Sequence, residues 1–279
     1  MSRDGMIAKG KGRLAGLGLA VLLILGALPL WWALVASVTP EAELFRAPSL
    51  WPREIVLEHY RALFDERDFW RPIRNSIVVA GATTVLCVTL GTFAAYALAR
   101  LRFRGRAAIL GFILAVTMFP QISIVTPLFL MLRAVRLIDT YPGLILPYTT
   151  FAMPLTVWLL VGFFRQLPAD LEDAALVDGA TRWQSFVKIV LPLAAPGIAT
   201  TAILTFIYCW NEFLFALSFT LGADRQTVPV AIALFRGQYQ VPWGQILAAA
   251  VVATVPVALM VLAFQRRIVE GLVRGGVKG

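Results

Sequence analysis

Residues 73–99 read IRNSIVVAGATTVLCVTLGTFAAYALA, and residues 100–106 that follow read RLRFRGR. The first segment carries one charge, Arg74, close to its start. It exceeds the roughly 20 apolar residues that an α-helix needs to cross the hydrocarbon core of a bilayer. The second segment holds Arg100, Arg102, Arg104 and Arg106 with no acidic residue. An apolar run that ends in arginines is the pattern of a membrane span whose basic end stays in the cytoplasm. Lipid offers no partner to a free backbone N–H or C=O, so such a span has to be helical.

The same length and polarity recur along the chain. Leu14–Val38, Ala107–Leu132, Gly143–Phe164, Gly197–Leu221 and Trp243–Phe264 also qualify, which predicts six spans. Composition agrees. Of the 279 residues 59% are hydrophobic and 15% charged, against about half and about a quarter in soluble domains. Mean hydropathy is +0.78. Lys9, Lys11 and Arg13 before the first run also fit a secretory signal, but the run is longer than the apolar part of such signals, so a retained span is the reading adopted. Cys87 and Cys209 fall inside apolar runs, which disfavours a disulfide framework or a metal site. The single histidine, His59, has no visible ligand partner and reads as a surface residue.

The formal charge of +9 follows from topology. Arg3, Lys9, Lys11 and Arg13 precede the first span, and the four arginines at 100–106 follow the second. Arg165, Arg182 and Lys188 follow the fourth, and Arg266, Arg267, Arg274 and Lys278 follow the last. The long segment 39–72 balances its basic residues with Glu41, Glu43, Glu54, Glu58, Asp65, Glu66 and Asp68. Both termini are therefore expected in the cytoplasm, and nucleic-acid binding is not needed to explain the charge. Within 39–72, Ile55, Tyr60, Leu63 and Phe64 recur at helical spacing, which predicts a short amphipathic helix at the outer interface.

Little points to chemistry inside the chain. Gly5 to Lys11 has the spacing of a phosphate-binding loop, but Gly12 stands where a magnesium-binding hydroxyl belongs, and no strand precedes it. Gly10, Gly12 and Ala15 fit a dinucleotide fingerprint only loosely, and no nucleophile–histidine–acid constellation is visible. No catalytic residue, metal site or nucleotide site is expected. Pro120, Pro127, Pro147 and Pro154 would kink the third and fourth spans. Kinked spans either pack irregularly or line a pathway. Glu212 is read as the one acidic residue well inside a span; with Trp210 and Asn211 it groups an aromatic face and hydrogen-bonding groups within one turn, a candidate substrate pathway. A single intramembrane acid is thin support for transport driven by protons or sodium.

The stretch from Arg165 to Pro196 reads RQLPADLEDAALVDGATRWQSFVKIVLPLAAP. Pro168 and Asp170 suit a helix start, and Leu171, Ala174 and Ala175 form an apolar stripe. Gly179 permits a tight turn. Thr181 can cap a second helix with Trp183, Phe186, Val187 and Val190 on one face, which Pro192 and Pro196 would end before the fifth span. Two short amphipathic helices meeting at a glycine fit either a partner's groove or a loop packed beneath its own bundle.

This stretch resembles the EAA loop of ABC-importer permeases. The match runs through Asp173-Ala174-Ala175, then Gly179, then Ile189-Val190-Leu191-Pro192 at the family's spacing, with Asp173 where glutamate is usual and Glu172 just before it. AAYALARLRFRG (94–105), WNEFLFAL (210–217) and QRRIVEGLVRGGVKG (265–279) narrow the resemblance to carbohydrate importers of the maltose and trehalose type, and the last looks like the tail of the second maltose-type permease subunit.

The resemblance implies an all-α membrane protein of the ABC-importer permease type, with six transmembrane helices. It divides the chain into a cytoplasmic tail 1–13, a permease domain 14–264 with its coupling loop at 165–196, and a cytoplasmic tail 265–279. It implies that Glu172, Asp173, Ala174, Ala175, Asp178, Gly179, Ala180, Ile189, Leu191 and Pro192 couple to an ATPase subunit, and that Gly275, Gly276 and Lys278 reach toward it. Implied partners are a second permease of similar fold, a dimer of ATP-binding subunits holding ATP and Mg, and an extracytoplasmic solute-binding protein. The cargo would be a sugar, crossing the cytoplasmic (inner) membrane of a prokaryote. Polyamine or phosphonate permeases share the loop and are the alternative, with a secondary carrier further off.

Overall fold

The computed structural model describes residues 3–46, 49–235 and 241–276, and within these the side chains of 16 and 18–265. In chain order the helices are α1 (Arg3–Ser37), α2 (Glu41–Leu44), α3 (Glu58–Arg61), α4 (Trp70–Arg100), α5 (Arg106–Val116), α6 (Gln121–Ala134), α7 (Tyr141–Gln166), α8 (Asp170–Val177), α9 (Arg182–Ser185), α10 (Leu191–Trp210), α11 (Leu214–Phe219), α12 (Val228–Ala233) and α13 (Trp243–Gly276). Wide π turns occupy Ala62–Glu66 and Phe186–Val190, and no strand occurs among the described residues. Gly18–Ser37, Trp70–Arg100, Tyr141–Gln166, Arg182–Trp210 and Trp243–Gln265 are each long and apolar enough to cross a bilayer. A sixth crossing exists only if α5 and α6 are taken together.

The chain divides into two compact units: Met1–Asp68 with Phe235–Thr254, and Phe69–Leu234 with Val255–Gly279. In the first, the Glu41 carboxylate accepts hydrogen bonds from the backbone N–H groups of Trp243 and Gly244, both at 2.9 Å. These first-turn donors of α13 have no acceptor within their own helix, and negative charge there is also favoured by the helix dipole. His59 is buried rather than at the surface as the sequence suggested. Its Nε2 lies 2.9 Å from the Thr39 carbonyl oxygen, and its ring rests against the bare Cα of Gly244. The amphipathic segment is two short turns, α3 and the π turn, with Leu63 fully buried and the Tyr60 hydroxyl 2.8 Å from Ser37 Oγ. Ile55 lies outside them and is exposed.

In the second unit α4, α7 and α10 form the centre. The faces of α4 are assigned opposite to a soluble helix. It buries Asn75, Ser76, Thr83, Thr84 and Thr92 with small residues, and exposes Ile77, Val85, Leu86, Leu90 and Phe93. Lipid supplies no hydrophobic drive between helices, so small and hydroxyl residues collect where backbones approach. Gly91 faces Thr156, Val157 and Leu160 of α7, and the Thr156 and Thr205 hydroxyls join α7 to α10 at 2.9 Å. Thr84, Thr156 and Thr201 also return their hydroxyl protons to carbonyls four residues back, which leaves no unpaired donor from them in the helix contacts.

Three expectations about spans are corrected. The third is not one helix: α5 and α6 meet at 90°. Pro120 lies at the break, extended rather than helical; it has no N–H to continue the helix and disfavours helical backbone at Phe119. The second short helix of the 165–196 loop does not end at Pro192 and Pro196. It runs through the π turn into α10 as one stretch, Arg182–Trp210. The Leu191 N–H bonds the Phe186 carbonyl five residues back, and this widening accommodates a proline ring that would clash in a regular α-helix. The fifth span stops at Trp210, short of Leu221. At the C-terminus α13 continues to Gly276, so most of the 265–279 tail has helical backbone.

Candidate coupling site

The resemblance-bearing loop begins with α8, whose first turn carries Asp170, Glu172 and Asp173, the acidic end that a helix dipole favours. α8 is closed by two bonds: Gly179 N–H to the Leu176 carbonyl at 3.1 Å, and Ala180 N–H to the Ala175 carbonyl at 2.9 Å. This pair is a Schellman cap, and it requires a left-handed residue, which Gly179 supplies at φ +86°. A Cβ on Gly179 would meet nothing within 4 Å, so the demand on this glycine is conformational. Two residues later a capping box starts the next helix. Thr181 Oγ1 accepts from Gln184 N–H at 3.2 Å, and Gln184 Oε1 accepts from Thr181 N–H at 2.8 Å. The turn between the helices is therefore pinned from both sides.

The adjacent acids Glu172 and Asp173 have different surroundings. Asp173 is exposed. Glu172 is buried: one carboxylate oxygen accepts a hydrogen bond from the Tyr96 hydroxyl, and the other lies 3.8 Å from Arg100 Nε. Arg100 also donates from Nη2 to the Leu167 carbonyl at 2.7 Å, just past the end of α7. Tyr96 packs on Phe186 at 4.6 Å between ring centroids and edge-on to Phe164, and Trp183 stacks on Phe93. Tyr96 was not singled out from the sequence, and Arg100 was read only as one of four arginines after the second span. Their spacing of four residues, which puts both on one face of a helix, was the available signal.

Ala175 is buried under α8, while Leu171, Ala174, Val177, Asp178 and Gly179 are exposed, and Ala180 and Ile189 are half-buried. Val177 is 87% exposed, an open apolar side chain outside the long spans. Leu191 is half-buried and Pro192 exposed at the start of α10. A cavity of about 730 Å³ opens beside the site, lined by Arg100, Arg102, Arg106 and Arg182 together with Glu172 and Asp173.

The candidate pathway residues are placed differently. Trp210 is buried and stacks on Phe206, with centroids 5.7 Å apart. Asn211 is exposed and donates to the Ile207 carbonyl at 2.8 Å, closing its own helix. Glu212 sits in the break between α10 and α11, not inside a helix, and its carboxylate accepts from Phe215 and Ala216 N–H at 2.8 and 3.1 Å. The three are adjacent, but each has a structural partner and only Asn211 faces outward. Of the tail residues, Gly275 and Gly276 are described only as helical backbone, and Lys278 lies outside the described residues.

Residues 87–274, which contain the whole coupling site, match the family described as binding-protein-dependent transport system inner membrane component. The chain is 50% identical over 254 residues to the trehalose transport system permease protein SugB of Mycobacterium tuberculosis, covering 90% of this chain and 92% of the relative. It is 43% identical to the sulfoquinovosyl glycerol transport system permease protein SmoH of Agrobacterium fabrum, covering 93% and 92%. It is 40% identical to the trehalose/maltose transport system permease protein MalG of Thermococcus litoralis, covering 93% and 97%. Its fold superimposes on a crystal structure of a bacterial ABC transporter involved in import of the acidic polysaccharide alginate, with TM-score 0.77 and 25% identity over 95% of this chain and 98% of that one. The broken third span, the double-capped loop and the continuous Arg182–Trp210 helix are thus features of a membrane permease, and the chain belongs to the family of binding-protein-dependent transport system inner membrane components.

Proposed function

We propose that this chain is a membrane-spanning subunit of an ATP-driven importer of a sugar, with a disaccharide of the trehalose or maltose kind as cargo, in the cytoplasmic membrane of a prokaryote. The observation that carries the reading is the turn at Gly179: a helix capped at its end and the next capped at its start, with apolar side chains held outward. The cargo class rests on the relatives, two of which are named for trehalose transport.

In this reading the chain hydrolyses nothing. ATP and Mg are held by two copies of a separate ATPase subunit, and Leu171, Ala174 and Val177 of α8 sit in a groove of one of them. Asp178, at the exposed end of α8, meets a basic group of that subunit. A second permease of similar fold completes the pathway, and a solute-binding protein delivers sugar on the outer side. Both termini lie in the cytoplasm, and Gly275, Gly276 and Lys278 extend toward the ATPase pair. Closure of that pair displaces α8 and the start of the Arg182–Trp210 helix, and the long helices convert the displacement into alternating access.

The test is reconstitution of the full complex in liposomes with ATP inside and sugar-loaded binding protein outside. Uptake should require ATP, and one sugar-loaded binding protein should stimulate hydrolysis. Uptake driven by an ion gradient without ATP would overturn the importer, and stimulation only by a polyamine- or phosphonate-loaded binding protein would overturn the cargo.

A further inference from the structure

The loop that meets the partner must also grip its own bundle, or a push on α8 would be lost in slack. We infer that Glu172, Tyr96 and Arg100 form that grip, so that α8 and the end of α4 move as one body; this rests on the importer reading given above. Three observations support it. Among the three acids in the first turn of α8, Glu172 is the buried one, and it is held by two residues of the same α4 face. Arg100 ties the same point to the end of α7 through the Leu167 carbonyl. Tyr96 ties it to the following helix through Phe186. Four segments therefore converge on one carboxylate: α4, the end of α7, α8 and the π turn.

The chemistry suits a grip. A buried carboxylate that loses its donors is left as an uncompensated charge, so α8 resists being lifted off α4. The Arg100 guanidinium is not used up: its Nε is buried without a hydrogen bond and stands 3.8 Å from Glu172. A movement of α8 toward α4 of about an ångström would bring that pair to hydrogen-bonding distance. A push on α8 therefore closes this small gap and then carries the end of α4 with it. These are positioning residues; none of them meets ATP or sugar.

The experiment uses the whole transporter in liposomes and counts sugar imported per ATP hydrolysed. Tyr96→Phe and Glu172→Gln should each keep the ATPase bound and hydrolysing while lowering that ratio by about two- to thirty-fold, the range of coupling changes along such networks. Tyr96→Phe removes the hydroxyl bond, whereas Glu172→Gln keeps an accepting oxygen and removes the charge that faces Arg100, so the double variant should be worse than either single one. A second measurement does not depend on these variants folding. With Ala99→Cys and Ala169→Cys, which both line the cavity beside the grip, the rate of cross-linking by a bifunctional thiol reagent should be the same with and without ATP. Unchanged sugar-to-ATP ratios in both single variants, or a severalfold change in cross-linking with ATP, would overturn the inference while leaving the importer intact. Absence of ATP-dependent uptake in the unsubstituted complex would instead remove the importer reading.

Discussion

A glycine and a glutamate show how much individual atoms decide here. A methyl group on Gly244 would lie 2.3 Å from Cε1 and 2.4 Å from Nε2 of the buried His59 ring. The ring cannot retreat easily, because it is held at the Thr39 carbonyl. Gly244→Ala should therefore destabilise the protein by about 1–3 kcal/mol, as overpacking does. Thermal unfolding in detergent would check this, and adding His59→Ala should recover part of the loss. Glu212 offers a sharper contrast. Its carboxylate satisfies two buried backbone donors at the start of α11. Glu212→Ala leaves both unpaired, at a cost of about 1–3 kcal/mol each. The expected result is less folded protein with unchanged transport per folded molecule. Asn211→Ala, which removes only a bond to its own helix, should leave stability nearly intact. If Glu212→Ala folds normally yet transports nothing, its role is in the pathway and not in the cap.

At the scale of elements, some of the architecture was legible in the sequence and some was not. The spans were legible because lipid demands uninterrupted apolar length, and the turn and restart at Gly179 and Thr181 were legible because each uses a residue type suited to one backbone geometry; Asp170 begins α8 as a first-turn acid and not as its cap, which is Ala169. The continuation past Pro192 was not. A proline after an amphipathic stripe normally marks an end, and nothing in the residue pattern announces a π turn that lets the helix pass. The Glu172–Tyr96–Arg100 cluster was hidden for another reason: its members are 76 residues apart at the Tyr96–Glu172 bond and meet only when α8 folds back on α4. The turn itself carries a prediction. Gly179 needs a positive φ but has free space around it. Replacement should therefore rank by tolerance of left-handed backbone, with Asn mildest, Ala next and Val worst, and with a cost of about 1–2 kcal/mol for Ala. All should insert in the membrane, and sugar uptake should fall in the same order. Uptake that followed side-chain volume, with Asn worse than Ala, would show that the partner's groove sets the limit and not the turn.

For the molecule as a whole, the open question is whether the α5–α6 pair crosses the membrane or dips in and returns. The central unit contains the answer. The Tyr141 hydroxyl donates to Asn75 Oδ1 at 2.7 Å, so the first turns of α4 and α7 lie at the same level. Arg100 donates to the Leu167 carbonyl, so their last turns also lie at one level. The two long helices are parallel, and the chain between Arg100 and Tyr141 must return from one level to the other. α5 and α6 are the only helices between them, so the bent pair carries the chain back from the end level of α4 to its starting level despite the 90° break, which predicts a sixth crossing. Asn75 also donates to the Asp224 and Gln226 carbonyls, and Arg71 pairs with Asp224, which sets the segment after α11 at the starting level of α4. The expected sign follows from the arginines: four without an acid follow α4, whereas Arg133 and Arg136 are followed by Asp139, so the end of α4 is expected on the cytoplasmic side. In a protein otherwise free of reactive thiols, Arg104→Cys should react with a membrane-impermeant reagent only from the cytoplasmic side. Arg136→Cys and Glu43→Cys should react only from outside. Arg104 and Arg136 labelling from the same side would mean a re-entrant pair and five crossings. The two ends of the chain would then lie on opposite faces, and the parallel arrangement of α4 and α7 would have to be wrong.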